Sequence, residues 1–233
     1  METFKKAVVL LSGGLDSSTC LALAVQGLGN KNVIALNMYY GQKHDKEIQS
    51  ARAVAKHYNT EYIEMDVSET MIYSDCSLLK SSKKEIAHKS YQEQLNEREN
   101  GQPVATYVPF RNGLFLSLAA AVALCKDADV IVFGAHKDDA AGNAYPDSSV
   151  SFAKAIDHAI YEGTGQKVRV YAPFIEKNKA DIVKEGLRLK VPYGLTWSCY
   201  EGGEVPCGTC GTCIDRRQAF EANNAQDPIN EEE

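Results

Sequence analysis

The chain has 233 residues, 44% hydrophobic and 24% charged, and its 31 acids against 25 lysines and arginines give a formal net charge of −6. These values describe an ordinary globular protein with room for one substantial core. They lack the broad positive field that favours nucleic acid, and no apolar run approaches the ~18–20 residues of a membrane-spanning helix. Small molecules are therefore the expected partners, with no direct nucleic-acid or membrane contact.

Lys5, Lys6 and the apolar run after them faintly resemble a signal peptide, but the run enters SGGLDSS without a small-residue cleavage context, so a first core strand is expected. In chain order the pattern predicts a strand over Ala7–Leu11, a helix over Ser17–Gln26, a strand over Val33–Met38, a helix over Asp45–Tyr58 and a strand over Glu61–Met65. From Val67 to Thr106 polar residues dominate and no strand is legible; such a stretch is expected to be a partly helical insertion acting as a lid or packing arm. Beyond it come a helix over Asn112–Cys125, a strand over Val130–Ala135, a helix over Ser149–Tyr161, a strand over Val168–Tyr171, a helix over Lys179–Lys190 and a short helix over Ile214–Ala222. Strands alternating with helices predict an α/β fold, a Rossmann-like parallel sheet with helices on both faces. Residues 1–195 are expected to form it, with 196–222 a cysteine-bearing segment and 223–233 a polar tail. The apolar Leu114–Ala123 stretch and the insertion are candidates for a dimer surface.

The first strand runs directly into Ser12-Gly13-Gly14-Leu15-Asp16-Ser17-Ser18. Two glycines let main-chain N–H groups face an anion, the following helix adds the partial positive charge of its N-terminus, and Ser12, Ser17 and Ser18 carry hydroxyl donors. Asp16 would repel a bare phosphate, so it either holds magnesium or caps the helix. Neither GxxxxGK[ST] nor GxGxxG is present.

Seven cysteines stand at 20, 76, 125, 199, 207, 210 and 213. An odd count with four crowded together does not read as a disulfide framework; a reducing cytoplasm with a metal site explains it better. Cys199, Cys207, Cys210 and Cys213 are separated by seven, two and two residues, with glycines between. Four converging thiolates suit structural zinc; an iron–sulfur cluster is the rival, although the CxxxCP ending of the ferredoxin spacing is missing. Cys20 and Cys125 lie in apolar helical patterns and are expected in the core, whereas Cys76 receives no role.

The loop resembles the pyrophosphate loop, SGGxDS, of the ATP pyrophosphatase (PP-loop) superfamily. With YYGQKH (39–44), TYVPFRNGLFLSLA (106–119), GAHKDDAAGNAYPDSS (134–149), APFIEKNKADIV (172–183), VPYGLTWSCY (191–200) and CGTCGTCIDRRQAF (207–220), the chain resembles the 7-cyano-7-deazaguanine synthase (QueC) family from about Ala7 to Phe220. That resemblance implies an ATP-dependent carbon–nitrogen ligase taking 7-carboxy-7-deazaguanine and ammonia to the nitrile, with ATP, magnesium and zinc, in the route to queuosine or archaeosine. Another enzyme of the superfamily, a transfer-RNA thiolase or lysidine synthetase, and a zinc-ribbon module that senses nucleotide are the rivals. By matched position the resemblance implies that Leu11, Ser12, Gly13, Gly14, Leu15, Asp16, Ser17 and Ser18 bind the nucleotide and its magnesium. Lys179 faces the departing phosphates, and Arg111 and Asn112 contact nucleotide or substrate. Asp16, Lys179 and Arg111 would carry catalysis. His136, Asp138, Asp139, Tyr145 and Asp147 would border the substrate, with Asp147 pairing to the exocyclic amine and ring N–H of the deazaguanine. The four clustered cysteines would hold the zinc. In AYPDSS the serines replace a cysteine that many relatives carry.

Overall fold

The computed structural model describes residues 1, 3–97 and 103–230. Five parallel strands, β1 (Ala7–Leu10), β2 (Val33–Tyr39), β3 (Glu61–Asp66), β4 (Val130–Val132) and β5 (Arg169–Tyr171), lie in the order β3-β2-β1-β4-β5. Side chains alternate across each strand. Ala7, Val9, Val33, Ala35, Val130 and Val132 therefore face one core, and Val8, Ile34, Leu36, Met38 and Ile131 the other. The first core is closed by α1 (Leu15–Leu28), α2 (Lys46–Tyr58), α7 (Lys179–Arg188) and α8 (Gly211–Glu221). The second is closed by α4 (Arg111–Cys125) and α6 (Val150–Gly163). Two short helices, α3 (Tyr91–Glu97) in the insertion and α5 (Lys137–Ala140) after β4, complete the named helices. Among the described residues no helix is long and apolar enough to cross a membrane.

The chain winds outward from β1 through β2 to β3, then returns to lay β4 on the opposite side of β1. This reversal opens a crevice at the carboxyl ends of β1 and β4, where open α/β sheets hold their ligands.

Several expected boundaries move for identifiable reasons. β4 ends at Val132, not Ala135, because the chain at Gly134 passes over α1: a Cβ there would meet the Asp16 and Ser17 backbone at 3.3 Å. α1 begins at Leu15, two residues before the expected Ser17, because Gly14 is its N-cap and Leu15 and Asp16 are already helical. Cys125 is exposed rather than in the core, because it ends α4 after its buried face has closed on Ala123. The apolar stripe of α4, considered above as a dimer surface, packs Leu116, Ala119, Ala120 and Ala123 against the sheet.

The insertion packs down on a small core of its own, with Met71, Cys76, Leu78 and Leu79 against Tyr40 and Val108. Lys43 N–H donates to Leu78 O at 2.9 Å and Lys80 N–H to Gly41 O at 2.8 Å, which ties the insertion to the loop after β2. Residues 98–102 of the insertion and 231–233 of the tail lie outside the described residues. The polar tail is anchored after all. Asp227 folds back, and its carboxylate accepts from Arg216 Nε and Nη2 at 2.6 and 2.9 Å, with both side chains more than nine-tenths buried.

Candidate active site

The loop after β1 is built to leave donors unused. Gly13 adopts φ +90°, and a Cβ there would lie 2.2 Å from the Glu47 carbonyl, so only glycine lets α2 close on the loop. Gly14 caps α1 without any side-chain acceptor. The first amides of the helix, at Leu15, Asp16 and Ser17, therefore keep their N–H groups for an anion. Ser12 Oγ and Ser17 Oγ stand 3.0 Å apart, Ser12 N–H donates to Ser17 Oγ at 3.2 Å and Ser17 Oγ donates to Gly14 O at 3.2 Å. These bonds hold the cradle open before any ligand arrives.

A cavity begins at this cradle. Leu11, Ser12, Gly14, Leu15, Asp16 and Ser17 line it, with Arg111, Asn112, Asp139, Tyr145 and Lys179 across from them. Those expectations come together in one place. Lys179 opens α7, fixed there by a reciprocal cap in which Asp181 N–H donates to Asn178 Oδ1 and Asn178 N–H to Asp181 Oδ2. Its Nζ donates to Asp16 Oδ2 at 2.8 Å. Burial would lower the Lys179 ammonium, but the Asp16 and Asp139 carboxylates hold it above the ordinary lysine value. Burial would raise Asp16, yet Lys179 and His136 bring it below 3.8. Asp16 Oδ1 is buried with no partner, so of the two sequence readings the helix cap is not the one observed.

Other expected residues stand off the cavity. Ser18 falls inside α1, fully buried, with its hydroxyl unpaired and turned away from the cradle. His136 is buried behind the wall, its Nε2 at 3.3 Å from Asp139 Oδ1 and 3.7 Å from Asp16 Oδ2. Asp138 accepts from the Lys179 backbone N–H at 2.8 Å and so serves the start of α7. Asp147 is buried and does not line the cavity. Its Oδ2 accepts the Asn112 N–H at 2.8 Å, and the Asn112 amide donates to Asp147 O and Ser148 Oγ, both at 3.1 Å. Asp147 thus satisfies an orphan donor in the first turn of α4. Asp147→Ala is expected to cost about 1–2 kcal/mol in stability, measured by urea titration, without altering which substrate is bound.

Residues with no role from sequence complete the wall. The single tryptophan, Trp197, lines the cavity with Ser198, Tyr200 and Thr212, and Trp197 N–H donates to Gly13 O at 3.0 Å. Tyr91, from the insertion, shares a 2.6 Å hydroxyl contact with Tyr200 and meets the Tyr145 ring edge-on with centroids 6.0 Å apart. Thr106 Oγ1 lies 2.6 Å from Tyr145 Oη. Burial drives the hydroxyls of Tyr91, Tyr145 and Tyr200 upward, keeping them neutral hydrogen-bonding groups. Arg216 reaches the cavity edge but is committed to Asp227, Thr196 and Tyr193 O. Arg111 has no acidic partner within 4 Å among the described residues; it sits 5.2 Å over the Tyr40 ring and donates to the Tyr40 hydroxyl at 3.3 Å.

The four clustered cysteines converge beside this cavity, their sulfurs all within 4.8 Å of one another. Cys207 Sγ and Cys213 Sγ are 4.0 Å apart. Glu201 N–H and Cys207 N–H donate to Cys199 Sγ at 3.4 and 3.3 Å, and Cys210 N–H donates to Cys207 Sγ at 3.3 Å.

The family model described as "Queuosine biosynthesis protein QueC" matches residues 6–224, a span that takes in the loop, the cavity and all four cysteines. The chain belongs to the QueC family. Among relatives of this QueC chain, a protein of Archaeoglobus fulgidus named 7-cyano-7-deazaguanine synthase is 44% identical over 96% of this chain and 89% of its own length. One of the same name from Oceanobacillus iheyensis is 41% identical over 97% and 98%. A solved structure of similar fold is the U34-tRNA thiolase NcsA from Methanococcus maripaludis with its [4Fe-4S] cluster, at TM-score 0.52 and 16% identity. That alignment covers 96% of the QueC chain and 65% of the thiolase.

Proposed function

We propose that this protein is an ATP-dependent 7-cyano-7-deazaguanine synthase. Its substrates are 7-carboxy-7-deazaguanine and ammonia. The observation that carries the proposal is one cavity lined by two chemically different sets of groups. Free amides, Ser12, Ser17 and the Lys179–Asp16 pair make up one set of lining groups; aromatic rings and Arg111, which has no acidic partner within 4 Å among the described residues, make up the other. ATP turns carboxylate oxygen, and later amide oxygen, into a good leaving group; both are poor ones by themselves. Lys179 places its charge where phosphate negative charge accumulates, and Arg111 meets a carboxylate. The free Asp16 Oδ1 and Asp139 supply oxygen ligands of the kind magnesium takes when nucleotide phosphates provide the rest.

Zinc is the proposed occupant of the cysteine cluster. A tetrahedral ion with zinc–sulfur bonds of ~2.3 Å needs its sulfurs ~3.8 Å apart, close to the spacing found. A four-iron cluster distributes its cysteines over four metal atoms and requires them farther apart. A homodimer is the proposed assembly; Ile72 and Tyr73, 56% and 91% exposed on the insertion, offer it an apolar surface. The cytoplasm is the proposed location.

The test is incubation with 7-carboxy-7-deazaguanine, ammonium, ATP and magnesium. Nitrile formation with release of pyrophosphate is the expected result. ATP binding without turnover, or ATP-dependent modification of transfer RNA instead, would sink the proposal.

A further inference from the structure

The cavity wall carries three carboxylates, Asp16, Asp139 and Glu47. Asp16 is engaged by Lys179, and Asp139 stands 3.3 Å from His136. Glu47, in the first turn of α2, has no hydrogen bond or ion pair from its side chain among the described residues. An unpaired carboxylate in a half-enclosed wall is costly unless a ligand repays it. Arg111 on α4 lines the same cavity, close enough for its charge to act on Glu47, and it donates to the Tyr40 hydroxyl at 3.3 Å without an acidic partner within 4 Å among the described residues. A ligand that satisfies both charges must bring an anion to Arg111 and a hydrogen-bond-donating edge to Glu47.

Resting on the function proposed above, we infer that Glu47 is the residue that reads the purine-type base, its two carboxylate oxygens accepting the ring N–H and the exocyclic amine of a guanine-like edge. The match is one of chemistry. An ionised carboxyl is acceptor-only with two parallel oxygens, and a guanine-type edge offers two adjacent donors; an adenine-type edge offers a ring acceptor at the corresponding position and is repelled. Asp147, the acid that the resemblance points to for this role, is buried off the cavity with its Oδ2 accepting the Asn112 backbone N–H. Gln42, Tyr91, Tyr145 and Tyr200 give the cavity flat walls and neutral polar groups. Burial pushes the Glu47 carboxyl up to about 7, against the pull of Arg111, and of the titratable groups facing it only Arg111 and Tyr40 carry an opposing or coupled effect. Donors arriving on a ligand reverse that rise.

The test uses Glu47→Gln in the full chain, with binding followed by the fluorescence of the single tryptophan, Trp197, in the cavity wall. Wild type is expected to prefer 7-carboxy-7-deazaguanine strongly over 7-carboxy-7-deazaadenine. Glu47→Gln is expected to weaken the guanine-type acid about 10- to 100-fold, as loss of hydrogen bonds to a charged group does, to improve the adenine-type acid, and to leave ATP unchanged. The fold control has a definite sign. The unfolded carboxyl titrates near 4.5 and the folded one near 7, so wild type loses stability as pH rises through that interval and the glutamine variant does not. At pH 8 the variant is therefore expected to melt no lower than wild type. Equal weakening of both acids, weakened ATP, or a lower melting temperature at pH 8 would overturn the inference. Wild type that binds neither acid and makes no nitrile condemns the proposed function instead, so the two failures are told apart.

Discussion

Asp16→Asn is expected to reduce pyrophosphate release at least about a thousandfold, roughly 4 kcal/mol of barrier, in an assay with saturating ATP and magnesium. Two losses combine. The unpartnered Oδ1 disappears as an anionic ligand for a cation on the phosphates, and Lys179 is no longer held at 2.8 Å in its aimed position. The variant is also expected to be less stable, because Lys179 keeps a largely buried charge without its partner. Removing one member of a buried pair costs about 3–5 kcal/mol, and the partial exposure of the two side chains, 17% and 24%, places the effect near the lower end of that range. Asp16→Asn combined with Lys179→Met should melt near wild type and remain inactive, which separates chemistry from folding. With Asp16 held below 3.8 by its neighbours, the stability from the pair is fully present above that pH. It is lost only as the pH falls through the depressed value. An active Asp16→Asn variant would refute both the metal role and the orienting role.

Cys210→Ser is expected to lose bound zinc and several kcal/mol of stability together, a fraction of the ~10–16 kcal/mol that zinc contributes in isolated fingers. Cys210 is fully buried, packed with Trp197, Ile86 and the other three cysteines. The segment from Thr196 to Thr209 contains no helix or strand, so little else holds its path. The damage should reach the active site, because Trp197 N–H is bonded to Gly13 O and Ser198, Tyr200 and Thr212 line the cavity. Metal analysis, melting and turnover measured on one preparation check this. Nearly one zinc per chain in wild type, a colourless protein and parallel losses in the variant are expected. A stable, zinc-replete Cys210→Ser protein would show the ligand set to be wrong, and the visible absorption of an iron–sulfur centre would show the metal to be wrong.

The sheet, its parallel sense and the phosphate loop are legible in the sequence because each rests on local periodicity or local backbone need. Alternation of strand and helix lengths permits little but βαβ units, and two glycines between strand and helix mark the loop, although the close approach that Gly13 permits, to the Glu47 carbonyl, is tertiary. The cysteine cluster is legible for the same reason, since two-residue gaps between thiols bring them together over a short distance. What local pattern leaves open is which polar side chains are already engaged. Asp147 stands between Pro146 and Ser148 and Glu47 between Lys46 and Ile48, and neither setting tells which acid is engaged. Only folding brings the Asn112 amide onto one and leaves the other without a partner. Ser18 carries the same hydroxyl as Ser17, yet one more step of 100° around α1 turns it into the interior. Tyr91, Trp197 and Tyr200 enter the site across more than a hundred residues of chain. Residue type is written locally, but availability for chemistry depends on the neighbours that three-dimensional packing supplies.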